Sequence, residues 1–224
     1  MTDFAKNKSY YVTNENKLTI NTTKSYRITK RAIDMIGASF GIILLSLIFI
    51  IVSLLIKIED PNGKVLFKQL RVGKDGKEFY IYKFRSMASN AEERLKDLLA
   101  LNEVSGAMFK MKDDPRVTKV GKFIRKTSID ELPQLFNVLR GEMSLVGPRP
   151  PLPREVEEYT NYDRQRLLVV PGCTGLWQVS GRSNVGFSEM VELDIQYIKN
   201  RSVFKDFKII FKTILVLFGS KNAF

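Results

Sequence analysis

The sequence predicts a mostly helical α/β protein that is attached to a membrane by one apolar segment near its N-terminus. Residues 35–56 are a run of 22 residues without a charged side chain, which is long enough to cross a bilayer as a helix. Beyond Pro61 the chain becomes polar, and two β-like runs at 65–70 and 79–84 flank the turn-rich tetrapeptide GKDG at 73–76. These two runs predict a β-hairpin.

Helical composition characterises most of the remaining chain. Helices are predicted over 117–125, 130–139, 155–166 and 187–200, where charged and apolar residues are interleaved. Pro and Gly punctuate stretches between these segments, which predicts ordered loops.

The apolar segment can sit in a membrane in two ways. It could span the bilayer as a single-pass helix, or it could enter and leave on one side as a re-entrant membrane helix formed by residues 26–58. Residues 1–34 contain seven Lys or Arg residues, and residues 57–85 are basic again. Because basic flanks stay on the cytoplasmic side, this pattern favours the re-entrant form with both ends in the cytoplasm. We expect the break at Ser46, whose hydroxyl can satisfy a backbone group that the bend releases.

The two ends of the chain have different expected roles. Residues 1–25 are rich in Asn, Thr, Lys and Ser and predict a flexible basic arm. The domain of residues 59–224 ends in the segment 203–218, where Phe residues recur at helical spacing with Lys residues between them. Such a stripe fits an amphipathic helix that lies in the membrane interface, although a terminal helix packed on the protein core has the same pattern.

The composition limits the chemistry that the chain can perform. Its net charge of +12 indicates a polyanionic partner, such as a phosphorylated substrate, an anionic membrane surface or nucleic acid. The single cysteine, Cys173, excludes an intrachain disulfide, and the absence of histidine excludes histidine triads, histidine bases and Cys/His zinc sites. Cys173 has no adjacent basic residue to activate it, so a packed thiol is favoured over a nucleophile.

The adjacent carboxylates Asp130 and Glu131 are the best candidates for a nucleophile and a base in a chain without histidine. They occur at 127–135 in the sequence TSIDELPQL. One alternative is purely structural, because Ser128 and Glu131 fit a capping box in which Asp130 lies at the positive end of a helix. Pro133 is placed to bend that helix, however, and nearby basic residues should keep both carboxylates ionised and ready to bind a metal or attack phosphorus.

Several basic residues in stiff or glycine-rich contexts are candidates for phosphate binding, namely Lys83, Arg85, Arg149 and Arg182. Each could also be a solvated surface charge. Arg149 is the strongest candidate, because a proline on either side restricts its backbone, and a guanidinium fixed in this way suits bidentate binding of phosphate.

Five motifs, taken in order along the chain, resemble the bacterial sugar transferase family. These are the monotopic phosphoglycosyl transferases that begin capsule, exopolysaccharide and glycoconjugate assembly. The motifs lie at 30–34, 82–87, 120–134, 143–150 and 171–182, so the resemblance runs from about Tyr26 to the C-terminus. The chain departs from the family at the break of the membrane helix, where the usual Ser-Pro is replaced by Ser46 followed by Leu47.

The resemblance implies a small cytoplasmic α/β-type catalytic domain with a re-entrant membrane helix and interfacial amphipathic helices. By similarity, Asp130 would attack the β-phosphate of a UDP-sugar, expel UMP and carry the sugar phosphate as an aspartyl phosphodiester. Polyprenyl phosphate, such as undecaprenyl phosphate, would then accept the group. Glu131 would assist the second step, or would place Mg²⁺ together with Asp130. The expected phosphate-binding residues are Lys83, Arg85, Arg125, Arg149 and Arg182.

The expected partners are therefore a UDP-sugar, polyprenyl phosphate and an anionic lipid surface, without nucleic acid, and a homo-oligomer is left open. We expect the protein at the inner (cytoplasmic) membrane, with the catalytic domain on the cytoplasmic side. Two other functions are left open, a basic peripheral membrane adaptor without catalysis and a nucleotide-sugar phosphohydrolase. An adaptor that acts by charge alone has no need for a proline-enclosed Arg149, and a hydrolase has no need for a lipid acceptor.

Overall fold

Helices make up most of the part of the chain that the structure describes, and two small sheets complete it. The computed structural model describes residues 23–91, 93–94, 114–180 and 186–219, together with Leu18 and Met111. Within these residues the helices are α1 (Lys24–Leu44), α2 (Ser46–Glu59), α3 (Lys119–Lys126), α4 (Gln134–Arg140), α5 (Pro153–Glu157), α6 (Leu176–Ser180), α7 (Phe187–Asn200) and α8 (Val203–Gly219). The strands are β1 (Leu66–Val72), β2 (Glu78–Phe84), β3 (Ser144–Val146) and β4 (Gly172–Thr174).

The apolar segment is divided between α1 and α2, whose axes are bent by 59°. None of the described helices is by itself long and apolar enough to span a bilayer, whereas the bent pair is when taken together. The break lies at Leu45, whose amide donates to the carbonyl of Gly41 and whose carbonyl accepts from the amide of Phe49, both at 3.0 Å. Helix α2 begins without a side-chain cap, and Ser46 is exposed. The break thus lies one residue before the expected Ser46, and two backbone hydrogen bonds of Leu45 are retained there. The described residues show no hydrogen bond to the Ser46 hydroxyl.

The predicted hairpin is confirmed. Strands β1 and β2 pair antiparallel along their whole length, from Leu66 opposite Phe84 to Val72 opposite Glu78. The turn between them includes Asp75 and Gly76 with φ values of 55° and 75°. The hairpin carries Lys83 near the end of β2, where it can reach the residues that follow α3.

A second sheet joins two distant parts of the chain, because β3 and β4 pair in parallel. The approach is very close at Gly172, where an added Cβ would lie 2.0 Å from the backbone nitrogen of Gly147. Any larger residue would push the two segments apart. The sheet thereby fixes the start of the 147–151 loop, which contains Arg149.

Two of the predicted helices have opposite outcomes. The helix predicted over 187–200 is confirmed as α7. The helix predicted over 155–166 is wrong, since α5 ends at Glu157 and a separate 3₁₀ turn covers Asp163–Leu168. The side chain of Asp163 accepts from the amide and hydroxyl of Thr160, which favours a turn over a continuous helix.

Helix α8 contains the C-terminal stripe. Its Asp206 and Ile209 are buried against the protein. Phe204, Phe207 and Phe211, which form the stripe, are 80%, 53% and 62% exposed. The aromatic stripe thus does not pack on the core, and the helix presents it on the outer surface. Of the predicted arm at residues 1–25, only Leu18 and residues 23–25 lie within the described part of the chain.

Candidate active site

The adjacent carboxylates lie on a short 3₁₀ turn, Ile129–Glu131, between α3 and α4. Ser128 precedes them in the left-handed region, with φ 56° and ψ 16°, and provides no side-chain cap. The capping box that would have given these residues a purely structural role is therefore absent. A non-glycine residue in this conformation is strained, and such strain is concentrated at functional sites. Pro133 directly precedes α4 and so begins that helix, where we expected it to bend one.

Glu131 forms an ion pair with Lys83 of β2. The distance from the Lys83 Nζ to the Glu131 Oε1 is 2.7 Å, and the lysine side chain is only 18% exposed. Partial burial acts to raise the pKa of Glu131, but the charges of Lys83, Arg149 and Arg71 outweigh it and lower the pKa below its usual value. Glu131 is therefore ionised at neutral pH.

Asp130 has the opposite balance. Burial, together with the charge of Glu131, raises its pKa to about 6, although Lys83 and Arg125 act to lower it. The two neighbours thus have pKa values that are pushed apart, a pattern typical of catalytic pairs. Asp130 is mostly ionised at pH 7 but is poorly solvated, which favours its reaction with an electrophile.

Arg125, near the end of α3, is held by a hydrogen bond to Ser86. Its Nε donates to the Oγ of Ser86 at 2.8 Å. Burial lowers its pKa while Asp130 acts to raise it, which indicates that the two charges are close. Arg125 therefore remains a candidate for binding phosphate at Asp130.

A cavity of about 60 Å³ lies beside Glu131. The charged and polar side chains at its wall come from the β1–β2 hairpin, the 3₁₀ turn, α4, α6 and the 147–151 loop. They are Arg71, Lys83, Glu131, Gln134, Arg149 and Gln178. Three cations thus face one carboxylate, an arrangement suited to a phosphorylated ligand.

Two members of the cavity wall, Arg71 and Gln178, were missed by the sequence analysis. The Nη1 of Arg71 donates to the Pro150 carbonyl at 3.0 Å, and its buried Nε has no hydrogen-bond partner. The Oε1 of Gln178 is also buried without a partner. Polar atoms buried in this way are costly unless a ligand completes their bonds. Gln178 could have been proposed from its place in the motif at 171–182, whereas nothing local distinguishes Arg71.

Three further residues from the sequence analysis have different outcomes. Arg85 does not line this cavity, and its Nε is buried without a hydrogen-bond partner at the end of β2. Arg182 lies outside the described residues. Cys173 lines the cavity, but burial, assisted by the charges of Glu131 and Asp34, raises its pKa far above the usual value. Its thiol is thus protonated at neutral pH, in agreement with a packed residue.

A metal ion at Asp130 and Glu131 would need further ligands from the substrate. Within the described ranges, no group of three or more His, Cys, Asp or Glu side chains could bind a metal by itself. Mg²⁺, however, is commonly bound by one or two carboxylates together with substrate phosphates. Magnesium binding by Asp130 and Glu131 therefore stays a prediction of the sequence.

Comparison with known proteins identifies the family. The family model described as bacterial sugar transferase matches residues 25–220. The chain belongs to the bacterial sugar transferase family. Both carboxylates and all the cavity residues of this sugar transferase lie within the matched range.

Three relatives illustrate the similarity. Galactosyl transferase CpsE of Streptococcus agalactiae is 51% identical over 198 residues, covering 88% of this chain and 44% of that protein. Undecaprenyl-phosphate galactose phosphotransferase of Salmonella typhimurium is 45% identical over 205 residues, covering 90% and 43%. Exopolysaccharide production protein ExoY of Rhizobium meliloti is 41% identical over 201 residues, covering 88% of each. The chain thus spans less than half the length of the first two relatives and most of the third.

Proposed function

We propose that this sugar transferase moves a sugar 1-phosphate from a UDP-sugar to undecaprenyl phosphate, as the first membrane step of exopolysaccharide, capsule or glycoconjugate synthesis. The observation that carries the proposal is the Asp130–Glu131 pair, in which Glu131 lines a cavity with Lys83, Arg71 and Arg149 and the charge of Lys83 also acts on Asp130. The names of the relatives from Salmonella typhimurium and Rhizobium meliloti support the acceptor and the pathway.

The first step is attack by a carboxylate oxygen of Asp130 on the β-phosphorus of the UDP-sugar. An O–P bond to Asp130 forms, the bond between the β-phosphorus and the bridging oxygen breaks, and UMP leaves with that oxygen. The cations at the cavity wall would stabilise the charge that develops on the phosphoryl oxygens. Mg²⁺, if held by Asp130, Glu131 and the diphosphate, would supply further screening of that charge.

The second step returns the enzyme to its starting state. A phosphate oxygen of undecaprenyl phosphate attacks the same phosphorus, and Asp130 leaves as a carboxylate. Glu131, kept ionised by Lys83, can accept the proton of a monoprotonated acceptor phosphate. The product is an undecaprenyl diphosphate sugar.

The outer surface supports a lipid acceptor over water. Large apolar side chains are exposed along the bent pair α1–α2, and the Phe stripe of α8 is exposed as well. Exposed apolar area of this extent is typical of a membrane contact. We infer that α1–α2 forms a re-entrant helix, that α8 lies in the interface of the inner membrane, and that the catalytic domain faces the cytoplasm.

Release of UMP tests the proposal. Purified protein in detergent or nanodiscs would be offered a panel of UDP-sugars, beginning with UDP-galactose because two relatives are named for galactose. We expect catalytic UMP release with one or a few sugars, and only when undecaprenyl phosphate is present. Equal turnover without the acceptor would favour the phosphohydrolase, and no UMP from any sugar would favour the adaptor.

The re-entrant arrangement makes a separate prediction. Single cysteines would be introduced in the Cys173→Ala background at two exposed positions, Ser25 in the first turn of α1 and Asn62 after the end of α2. Because both flanks are basic, we expect neither cysteine to react with an impermeant maleimide added to intact spheroplasts. Both should react after lysis. Labelling of one position alone from outside would mean that the segment crosses the bilayer.

A further inference from the structure

The loop that carries Arg149 is fixed by hydrogen bonds to four successive carbonyl groups. Residues 148–151 include three prolines, which have no N–H to donate, so the loop can be positioned through its backbone chiefly by what its carbonyls accept. Two of the donors are backbone amides: Gly172 donates to the Pro148 carbonyl at 2.8 Å, and Val72 donates to the Pro151 carbonyl at 2.9 Å. The other two are guanidinium groups: Arg166 donates to the Arg149 carbonyl at 3.3 Å, and Arg71 donates to the Pro150 carbonyl at 3.0 Å.

The carbonyl of Arg149 itself is bound by Arg166. Arg166 lies in the 3₁₀ turn Asp163–Leu168 and is 3% exposed. Its Nε donates to the Oδ2 of Asp194 at 2.8 Å, and its Nη2 lies 2.8 Å from the same oxygen. Its Nη1 donates to the hydroxyl of Tyr159 at 2.6 Å, while Nη2 also reaches the Arg149 carbonyl. One planar guanidinium therefore connects α7 to the backbone of a cavity residue.

The burial of this ion pair needs an explanation beyond stability. Asp194 is fully buried, and its Oδ1 has no hydrogen-bond partner. A buried ion pair is often no more stabilising than apolar residues of similar volume, because both charges lose their hydration. What such a pair provides is direction, since the guanidinium fork binds at defined angles. Among the described residues, the Arg166 side chain forms hydrogen bonds with three partners, which are Asp194, Tyr159 and the Arg149 carbonyl. The Arg149 carbonyl is the partner that belongs to the cavity loop.

We propose that Asp194 and Arg166 are positioning residues, in which Asp194 orients Arg166 and Arg166 fixes the Arg149 backbone so that the Arg149 guanidinium meets the diphosphate of the UDP-sugar. This inference rests on the proposed function. The Arg149 side chain is exposed and lines the cavity. The direction in which its guanidinium points therefore depends on the position of its backbone. Asp194 and Arg166 act through it without touching the substrate.

Arg166→Lys tests the proposal. Lysine keeps a positive charge beside Asp194 but cannot bind Asp194 and the Arg149 carbonyl in the same fork. We expect the KM for the UDP-sugar to rise about tenfold or more, the loss expected for one charge-assisted hydrogen bond. The KM for undecaprenyl phosphate should stay unchanged.

Tyr159→Phe is the matched control, because it removes the third bond to the same guanidinium without affecting its contact with Arg149. That control should lower the Tm and leave the KM unchanged.

A double-variant cycle with Arg149→Ala separates positioning from a general structural role. If Arg166 acts through Arg149, then Arg166→Lys should cause no further loss in the Arg149→Ala background. Additive losses, or an unchanged KM in Arg166→Lys alone, would overturn the inference. If Arg166→Lys does not fold, Asp194→Asn enters the same cycle. Calorimetric affinity for UDP gives a second readout that needs no turnover, so the inference can be judged even if the proposed transfer fails.

Discussion

Asp130→Asn should abolish sugar-phosphate transfer while leaving the fold and the membrane association intact. The amide has nearly the same shape as the carboxylate but cannot act as the nucleophile, and loss of a nucleophile costs about 10⁴-fold or more in rate. The measurement is UMP release together with incorporation of labelled sugar into the undecaprenyl fraction. Near-normal transfer by the purified variant would exclude the covalent aspartyl mechanism.

The stability of the same variant provides its control. Burial raises the pKa of Asp130 to about 6 in the folded protein, so the ionised carboxylate costs stability above that pH. As the pH falls below about 6, the folded protein takes up the proton before the unfolded chain does, so the cost shrinks steadily until the unfolded chain is protonated as well. Asp130→Asn should therefore have a Tm at least equal to that of the parent at pH 7, and its advantage should shrink towards pH 5. A large loss of Tm at pH 7 would mean that lost activity reports unfolding.

The activity of the parent should follow the same titration. A protonated Asp130 cannot attack phosphorus, so transfer should decline as the pH falls through about 6.

Local patterns in the sequence were sufficient for several elements. The hairpin was predictable because strand-forming runs flank a four-residue turn, and α7 because its helical pattern is uninterrupted. The Asp130–Glu131 pair was recognisable because adjacent carboxylates are prominent in a chain without histidine. Its geometry was less accessible. A helix was predicted over 130–139, but the left-handed Ser128 and the helix-initiating Pro133 produce a 3₁₀ turn before α4.

Contacts between distant residues could not be read from the sequence. Arg71 bonds to the carbonyl of Pro150 across 79 residues, and Arg166 pairs with Asp194 across 28. Arg71 and Arg166 are two of 36 basic residues, and nothing in the sequence distinguishes them from the others. Their partners are determined by the packing of the sheets and α7. The bend at Leu45 was similarly unpredictable in detail, because it uses backbone bonds that any residue except proline could make.

The bent pair α1–α2 contacts the helices on both sides of the carboxylate pair. Glu59, at the end of α2, accepts from the amides of Lys119 and Val120 at 2.7 and 3.0 Å, which caps the start of α3. Arg31 of α1 donates to the carbonyls of Val138 and Leu139 at 2.6 and 2.8 Å, near the end of α4. The turn with Asp130 lies between α3 and α4. Its position relative to α1–α2 is thus fixed from both directions, which suits the proposed transfer to a membrane-bound acceptor.

Lys83→Gln should reduce transfer about a hundredfold at pH 7, the range expected when a general base or acid is disabled. Lys83 is the 2.7 Å partner of Glu131, and it also acts to lower the pKa of Asp130. Burial raises the pKa values of both carboxylates, and the charge of Lys83 opposes that rise. Without Lys83, the pKa values of Asp130 and Glu131 should therefore be higher. Smaller fractions of the nucleophile and the base are then ionised at pH 7, so part of the lost rate should return as the pH is raised.

The pH profile distinguishes this cause from simple loss of a phosphate contact. A missing phosphate contact would lower the rate equally at all pH values. Raised carboxylate pKa values would instead shift the acidic limb of the pH–rate profile to higher pH. Lys68→Gln is the matched control, because it removes the same charge from β1 of the hairpin, where Lys68 is exposed and faces the Tyr82 ring at 5.4 Å. It should retain the rate and profile of the parent. Lys83→Arg should keep the profile while losing part of the rate, since a positive charge remains beside Glu131 in a different geometry. If Lys83→Gln leaves the acidic limb unchanged, the ion pair does not control the ionisation of the two carboxylates.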